Sequence, residues 1–313
     1  MRIAFFGTPH FAAVQLEHLI NEGFEISVVI TAPDKPAGRG RKLNQSAVKE
    51  ISQKHRLTLL QPSNLKDAHF VESYCNLGID IAVVVAFRML PEVVWKAAKI
   101  GTFNLHASLL PSYRGAAPIQ WAIIRGEQKS GVTTFLIDEK IDTGNILLQS
   151  TCRVLREDTG GSLHDKLLEL GKPLIVDTIN GLANQKITPK NQNHSKTKVS
   201  YAPKLNKENT RLHLHLSSYE AESLIRGLNP FPGAYGNIQF NHKIINVKIW
   251  KAKAVTLEKI AEEGSICVFN KSLFIRFRSS WLEVAEWQLE GKKRMSIGDF
   301  LNGNPHIQGA KWL

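Results

Sequence analysis

Arg2-Ile-Ala-Phe-Phe-Gly-Thr-Pro9 is a short, nearly continuous apolar run that ends in turn residues. Such a run predicts a strand covered on both faces, as in the interior of a parallel sheet. Outward from it, Phe11 to Ile20 places Phe11, Val14, Leu16, Leu19 and Ile20 toward one side of a helix, and Glu25 to Thr31 returns as a second strand. Strand, helix, strand at this pitch is the βαβ unit of a doubly wound α/β fold. The turn after the first strand lacks the Gly-x-Gly-x-x-Gly spacing, so no dinucleotide is expected there.

The bulk properties narrow the function. At 313 residues two domains are expected, and 43% hydrophobic with 22% charged residues is the composition of an ordinary globular protein. A net charge of +12 is an excess that attracts polyanions, nucleic acid first among them. Cys75, Cys152 and Cys267 are scattered and form no Cys-x-x-Cys pair, which argues against a disulfide framework or a zinc site. Met1 to Gly7 is too short for a signal peptide, and no run is long enough to span a bilayer. A cytoplasmic protein that uses neither membrane nor metal is expected, as a monomer.

Further along, Ala32 to Ser46 contains two prolines, two glycines and four cations, which predicts a long exposed loop without helix or strand. Arg39, Arg41 and Lys42 cluster there on a glycine-punctuated backbone able to fit a phosphate chain. Helices are expected over Ala47 to His55 and Asp67 to Leu77, with a short strand at Thr58 to Leu60. Ile79 to Phe87 is the most hydrophobic strand and is expected at the centre of the sheet, with a ligand beyond the carboxyl ends of the strands.

Gly101 to Gln120 then supplies polar chemistry. Asn104 and His106 are two apart, so an extended backbone points both to one face. A carboxamide and an imidazole so placed can hold a carbonyl oxygen and move a proton. A second apolar strand, Val132 to Ile137, leads to a turn carrying Asp142, and Asp142 and His106 at the carboxyl ends of their strands form a candidate acid–base pair. Gly161 to Ile179 reads as a long core helix. After a polar, basic stretch, Ala221 to Leu228 is helical, and short strands from Ala234 to Gln288 alternate as in a small closed barrel.

Asn104-Leu-His106, Ser108-Leu-Leu-Pro111, Tyr113-Arg-Gly-Ala-Ala-Pro-Ile119 and Asp142-Thr-Gly144, in this order and spacing, resemble the folate-dependent formyltransferases, most closely those acting on methionyl-tRNA. The resemblance covers essentially the whole chain. It implies a Rossmann-like catalytic domain over 1–189, a linker over 190–205 and an OB-fold-like tRNA-binding barrel over 206–313. It implies 10-formyltetrahydrofolate as formyl donor, leaving tetrahydrofolate, and initiator methionyl-tRNA as acceptor. Asn104 would hold the oxyanion, His106 would steady the same charge and pass a proton, and Asp142 would orient His106. Ser108, Leu109, Leu110 and Pro111 would line the folate cleft. Arg39, Arg41 and Lys42 would face tRNA, as would the basic run Lys292, Lys293 and Arg294. Three places depart from the family pattern: Arg88 stands where glycine is frequent, His10 where an acid is, and Thr210 to His215 in place of an Ile-Asp-Trp signature.

Two alternatives share parts of this pattern. A formyltransferase acting on glycinamide ribonucleotide or an amino sugar would carry the same Asn, His and Asp without needing basic segments. A non-catalytic RNA-binding module on the same scaffold would need the basic segments but not the polar set.

Overall fold

The computed structural model describes residues 1–37, 42–194, 198–278, 280–304 and 307–313. Arg39 and Arg41 lie outside the described residues. The chain divides into two compact units: Met1–Gly115, Ser130–Cys152 and Asp165–Tyr201 form the first, and Ala116–Lys129, Arg153–His164 and Ala202–Leu313 the second.

The first unit is built on β1 (Ile3–Gly7), with β2 (Ile26–Ile30) on one side, reached through α1 (His10–Asn21). After a short ladder of β3 (Lys35–Ala37) and β4 (Lys42–Asn44), α2 (Ala47–Lys54) leads to the edge strand β5 (Leu59–Leu60). The chain then passes through α3 (Ala68–Cys75) to β6 (Ile81–Val85) on the other side of β1, and through α4 (Glu92–Trp95) to β7 (Gly101–His106). After β8 (Arg114–Gly115), the chain passes through α5 (Pro118–Ile124), which belongs to the second unit, to β9 (Lys129–Leu136), β10 (Ile146–Arg153) and the long helix α6 (Gly160–Ala183), whose first turn also belongs to the second unit. The sheet order is β10-β9-β7-β6-β1-β2-β5. Pairs β2–β5, β1–β2, β1–β6 and β6–β7 are parallel, so the order reverses between β1 and β6 and opens the crevice in which such sheets bind ligands. β6 is the middle strand of the seven and fully buried, as its composition predicts.

Alternate residues of three strands make one core: Ala4 and Phe6, Val28 and Ile30, Ala82 and Val84 pack with Phe70 and Tyr74 of α3 and with Val94 of α4. Two features depart from the sequence expectations. The segment around Lys35 to Asn44 is not strandless: Lys35 pairs Asn44 and Pro36 pairs Leu43. A ladder this short needs only backbone hydrogen bonds, and proline is tolerated in a small edge pairing. The second departure is that β9 runs antiparallel to β7, with Phe103 opposite Leu136 and His106 opposite Thr133. The end of β9 therefore lies beside the middle of β7 rather than beside His106, and Asp142 reaches the site on the returning loop 137–145.

The second unit contains β11 (Tyr201–Ala202) from Ala202 on, α7 (Ser218–Gly227), β12 (Ala234–Phe240), β13 (Lys243–Val255), β14 (Ile266–Phe269), β15 (Ser272–Arg276), β16 (Trp281–Leu289), β17 (Met295–Ser296), α8 (Ile297–Gly303) and β18 (Lys311–Trp312). The strands run β14-β15-β16-β13-β12-β18, antiparallel along the path. Ser265 bridges Lys311, and Trp312 N donates to Gly264 O at 2.8 Å, which brings the last strand against the start of β14. The result is a nearly closed barrel around Val247, Ile249, Ile275, Leu282, Trp287 and Trp312. Helix α7 starts with a capping box, Ser217 and Glu220 satisfying each other's backbone amides.

Candidate active site

β7 delivers Asn104 and His106 to one face at its carboxyl end, as the two-residue spacing predicts. Asn104 is half-buried, and its carboxamide hydrogen-bonds to no side chain or backbone group among the described residues. His106 is buried, with Nε2 at 2.9 Å from the carbonyl oxygen of Tyr113. A carbonyl only accepts, so Nε2 carries the hydrogen and Nδ1 is the ring nitrogen left for chemistry. Nδ1 lies 3.7 Å from Oδ2 of Asp142, and the ring meets Phe135 edge-on at 6.5 Å.

Asp142 is fixed by backbone. It sits in the left-handed region at φ 56°, and its Oδ2 accepts a hydrogen bond from Gly115 N at 2.8 Å. Gly144 two residues on has no room for a side chain, because a Cβ there would stand 1.6 Å from Leu136 O. That close approach folds loop 137–145 tightly back along the sheet. Tyr113, also left-handed at φ 61°, is held by Ser200, whose Oγ accepts from Tyr113 N at 2.9 Å.

The segment 108–111 is turned inward. Ser108, Leu110 and Pro111 are buried, and Ser108 Oγ donates to Ser112 O at 2.6 Å. Thr133 Oγ1 donates to Ser108 O and accepts from Leu110 N, while Gln149 Nε2 donates to both Thr133 Oγ1 and Leu110 O. Leu109 packs so closely on Gly131 that a Cβ there would come within 2.6 Å of it. These residues give the loop after β7 a rigid shape.

Several supporting residues carry no sequence signal. Gln192, in the polar stretch 190–205, is buried and bonded to Arg114, Asp142 O and Gly144 O. Nothing in a run of asparagine, glutamine and lysine sets it apart. Arg88, exposed at the end of β6, donates to Pro62 O and Ser63 O and lies over the Phe87 ring. The left-handed residue of that turn is Ala86, at φ 46°, so glycine freedom is not used at 88. His10 is an exposed first residue of α1. In the departing segment 210–215, Leu212 is fully buried and accepts from Trp312 Nε1, and His213 stacks on His215.

The basic groups of the second unit differ among themselves. Arg294 is paired with Glu286 and lies over Trp250, whereas Lys292 and Lys293 are exposed. A cavity of about 660 Å³ is lined by Arg153, Arg156 and Arg226, with Glu127 beside them. Lys42 opens β4, next to the two loop arginines that fall outside the described residues. Among the described residues no helix is long and apolar enough to cross a membrane, and no three side chains group as metal ligands.

An open sheet of parallel strands with an antiparallel edge, followed in the chain by a nearly closed barrel, defines the architecture against which known families can be compared. Residues 1–179 match the formyl transferase family and residues 204–305 match the formyl transferase C-terminal domain. The methionyl-tRNA formyltransferase of Flavobacterium johnsoniae is 45% identical over 99% of this chain and 98% of its own. The N-formyltransferase of Helicobacter canadensis, solved with folinic acid and dTDP-3-aminofucose, shares the fold at a TM-score of 0.66 and 20% identity, over 94% of this chain and 99% of that one. Glycinamide ribonucleotide transformylase 1 of Symbiobacterium toebii, at 19% identity and a TM-score of 0.53, covers 61% of this chain with 92% of its own. The chain belongs to the methionyl-tRNA formyltransferase family of folate-dependent formyltransferases.

Proposed function

We propose that the protein transfers the formyl group of 10-formyltetrahydrofolate to the α-amino group of methionine on initiator tRNA, the step that marks this tRNA for translation initiation. The observation that carries this reading is the likeness to the Flavobacterium johnsoniae enzyme, which continues at 45% identity through the barrel as well as the catalytic unit.

The donor supplies an activated formyl carbon, and Asn104 suits it, because its carboxamide, unbonded among the described residues, can offer an N–H to a carbonyl oxygen. Asn104 holds the oxygen as negative charge grows on it, a contribution on the order of 100- to 1000-fold by analogy with other oxyanion donors. His106, with Nε2 committed to Tyr113 O, receives and returns the proton at Nδ1. Asp142 presents its Oδ2 to that nitrogen at 3.7 Å and orients the ring. The inward-turned segment 108–111 shapes the folate side of the crevice. Arg39, Arg41 and Lys42, with Lys292 and Lys293, contact tRNA phosphates and so position the acceptor end.

The test is formyl transfer to methionine-charged initiator tRNA beside methionine-charged elongator tRNA. Strong preference for the initiator supports the reading, and equal rates would show that the protein does not read tRNA identity.

A further inference from the structure

Gln192 uses its entire hydrogen-bonding capacity inside the protein. Oε1 accepts from Arg114 Nε at 3.1 Å and Arg114 Nη2 at 2.6 Å, while Nε2 donates to Asp142 O at 3.0 Å and Gly144 O at 2.7 Å. Guanidinium groups only donate and carbonyls only accept, so the partners fix which way the amide points. Both Gln192 and Arg114 are buried, at 2% and 9% exposure, so neither end of this bridge is held by solvent. The bridge spans the two sides of the acid–base pair. At one end, Arg114 lies between Tyr113, whose carbonyl receives His106 Nε2, and Gly115, whose amide holds the Asp142 carboxylate. At the other end are the backbone carbonyls that flank Thr143 in the Asp142 loop.

We propose that Gln192 and Arg114 are positioning residues that lock the left-handed Asp142 turn against the strand presenting Tyr113 and Gly115, and so set the spacing between His106 Nδ1 and Asp142. This rests on the reading of Asp142 as the partner of His106. Of the polar side chains, only an amide of this length both accepts from the guanidinium and donates to two carbonyls. Glutamate keeps the length and strengthens the bond to Arg114, but it turns an anionic oxygen toward Asp142 O and Gly144 O. Gln192→Glu therefore leaves the Arg114 anchor in place and releases the loop.

The experiment is a double-mutant cycle on the full chain, read by single-turnover formyl transfer over several decades of rate, with donor affinity and thermal midpoint measured alongside. Gln192→Glu is expected to slow transfer on the order of 10- to 100-fold, the scale of a misplaced catalytic group, while donor affinity stays within about twofold. In an Asp142→Asn background the same change is expected to add nothing. Gln192→Met, which loses all four bonds at similar length, is expected to behave likewise and serves if the glutamate variant does not fold. A Gln192→Glu enzyme with the wild-type rate overturns the proposal, and so does an undiminished further loss in the Asp142→Asn background, which would place the effect of Gln192 elsewhere. Full activity of Asp142→Asn alone overturns the reading of Asp142 itself, separately from any result at Gln192.

Discussion

The Nδ1 of His106 lies 3.7 Å from Oδ2 of Asp142, beyond hydrogen-bonding distance. The hydrogen bond that Oδ2 does make is to the Gly115 amide, so its charge is oriented by backbone rather than by the imidazole. The carboxylate is thus held in place independently of the ring it faces.

Asp142→Asn retains the shape of the turn and removes that charge. Transfer is expected to fall on the order of 100- to 10,000-fold, the range of general acid–base assistance, with donor binding preserved. Single-turnover rates and a donor titration check both halves, and near-normal turnover would remove Asp142 from the mechanism.

Asn104→Ala deletes a side chain that supports no other group among the described residues. A rate loss on the order of 100- to 1000-fold is expected. Stability is expected to change by no more than about 0.5 kcal/mol, since no hydrogen bond or ion pair of Asn104 among the described residues is broken. A thermal melt beside the assay separates the two, and a large fall in stability would make Asn104 structural.

Replacing Arg39, Arg41 and Lys42 together by Ala is expected to weaken tRNA binding and flatten its dependence on salt. Up to three lost phosphate contacts reduce the log–log slope by roughly 2 to 3. Donor affinity is expected to stay constant. An unchanged slope would mean that the loop is solvated and makes no contact.

How far the sequence could be read follows from the range of the interactions involved. The parallel strands and their central member were legible because Phe5, Phe6 and Val83 to Val85 are apolar without interruption. Asn104 and His106 share a face because a strand alternates, which is a local rule. The strand β18 was not legible: Lys311 and Trp312 become a strand only by meeting Gln239 and Ile238, far away in the chain. The direction of β9 was hidden for the same reason, since an apolar run carries no sign of its partner's direction. Gln192 was the hardest case, because its importance lies wholly in partners 48 to 78 residues away.

One prediction concerns the core. The Tyr74 ring packs on Phe6 and Phe70, its hydroxyl is buried with no hydrogen-bond partner among the described residues, and burial pushes its pKa well above the ordinary 10.0. Tyr74→Phe is expected to leave stability unchanged or raise it by about 1 kcal/mol, because an unsatisfied polar atom is removed. The unfolded phenol ionises above pH 10 while the folded one stays protonated, so the wild type loses stability as pH rises past that value. The variant is expected to lose less, as denaturant melts at pH 8 and pH 11 would report. A clear destabilisation at pH 8 would show that the hydroxyl is satisfied.

The acceptor is decided by formyl transfer from 10-formyltetrahydrofolate, with methionine-charged initiator tRNA, glycinamide ribonucleotide and a dTDP-linked amino sugar each offered as acceptor under the same conditions. Rapid formylation of the charged tRNA is expected, suppressed by raised salt, with no more than background for the two small acceptors. Efficient formylation of either small acceptor, with the tRNA left unmodified, would contradict this expectation.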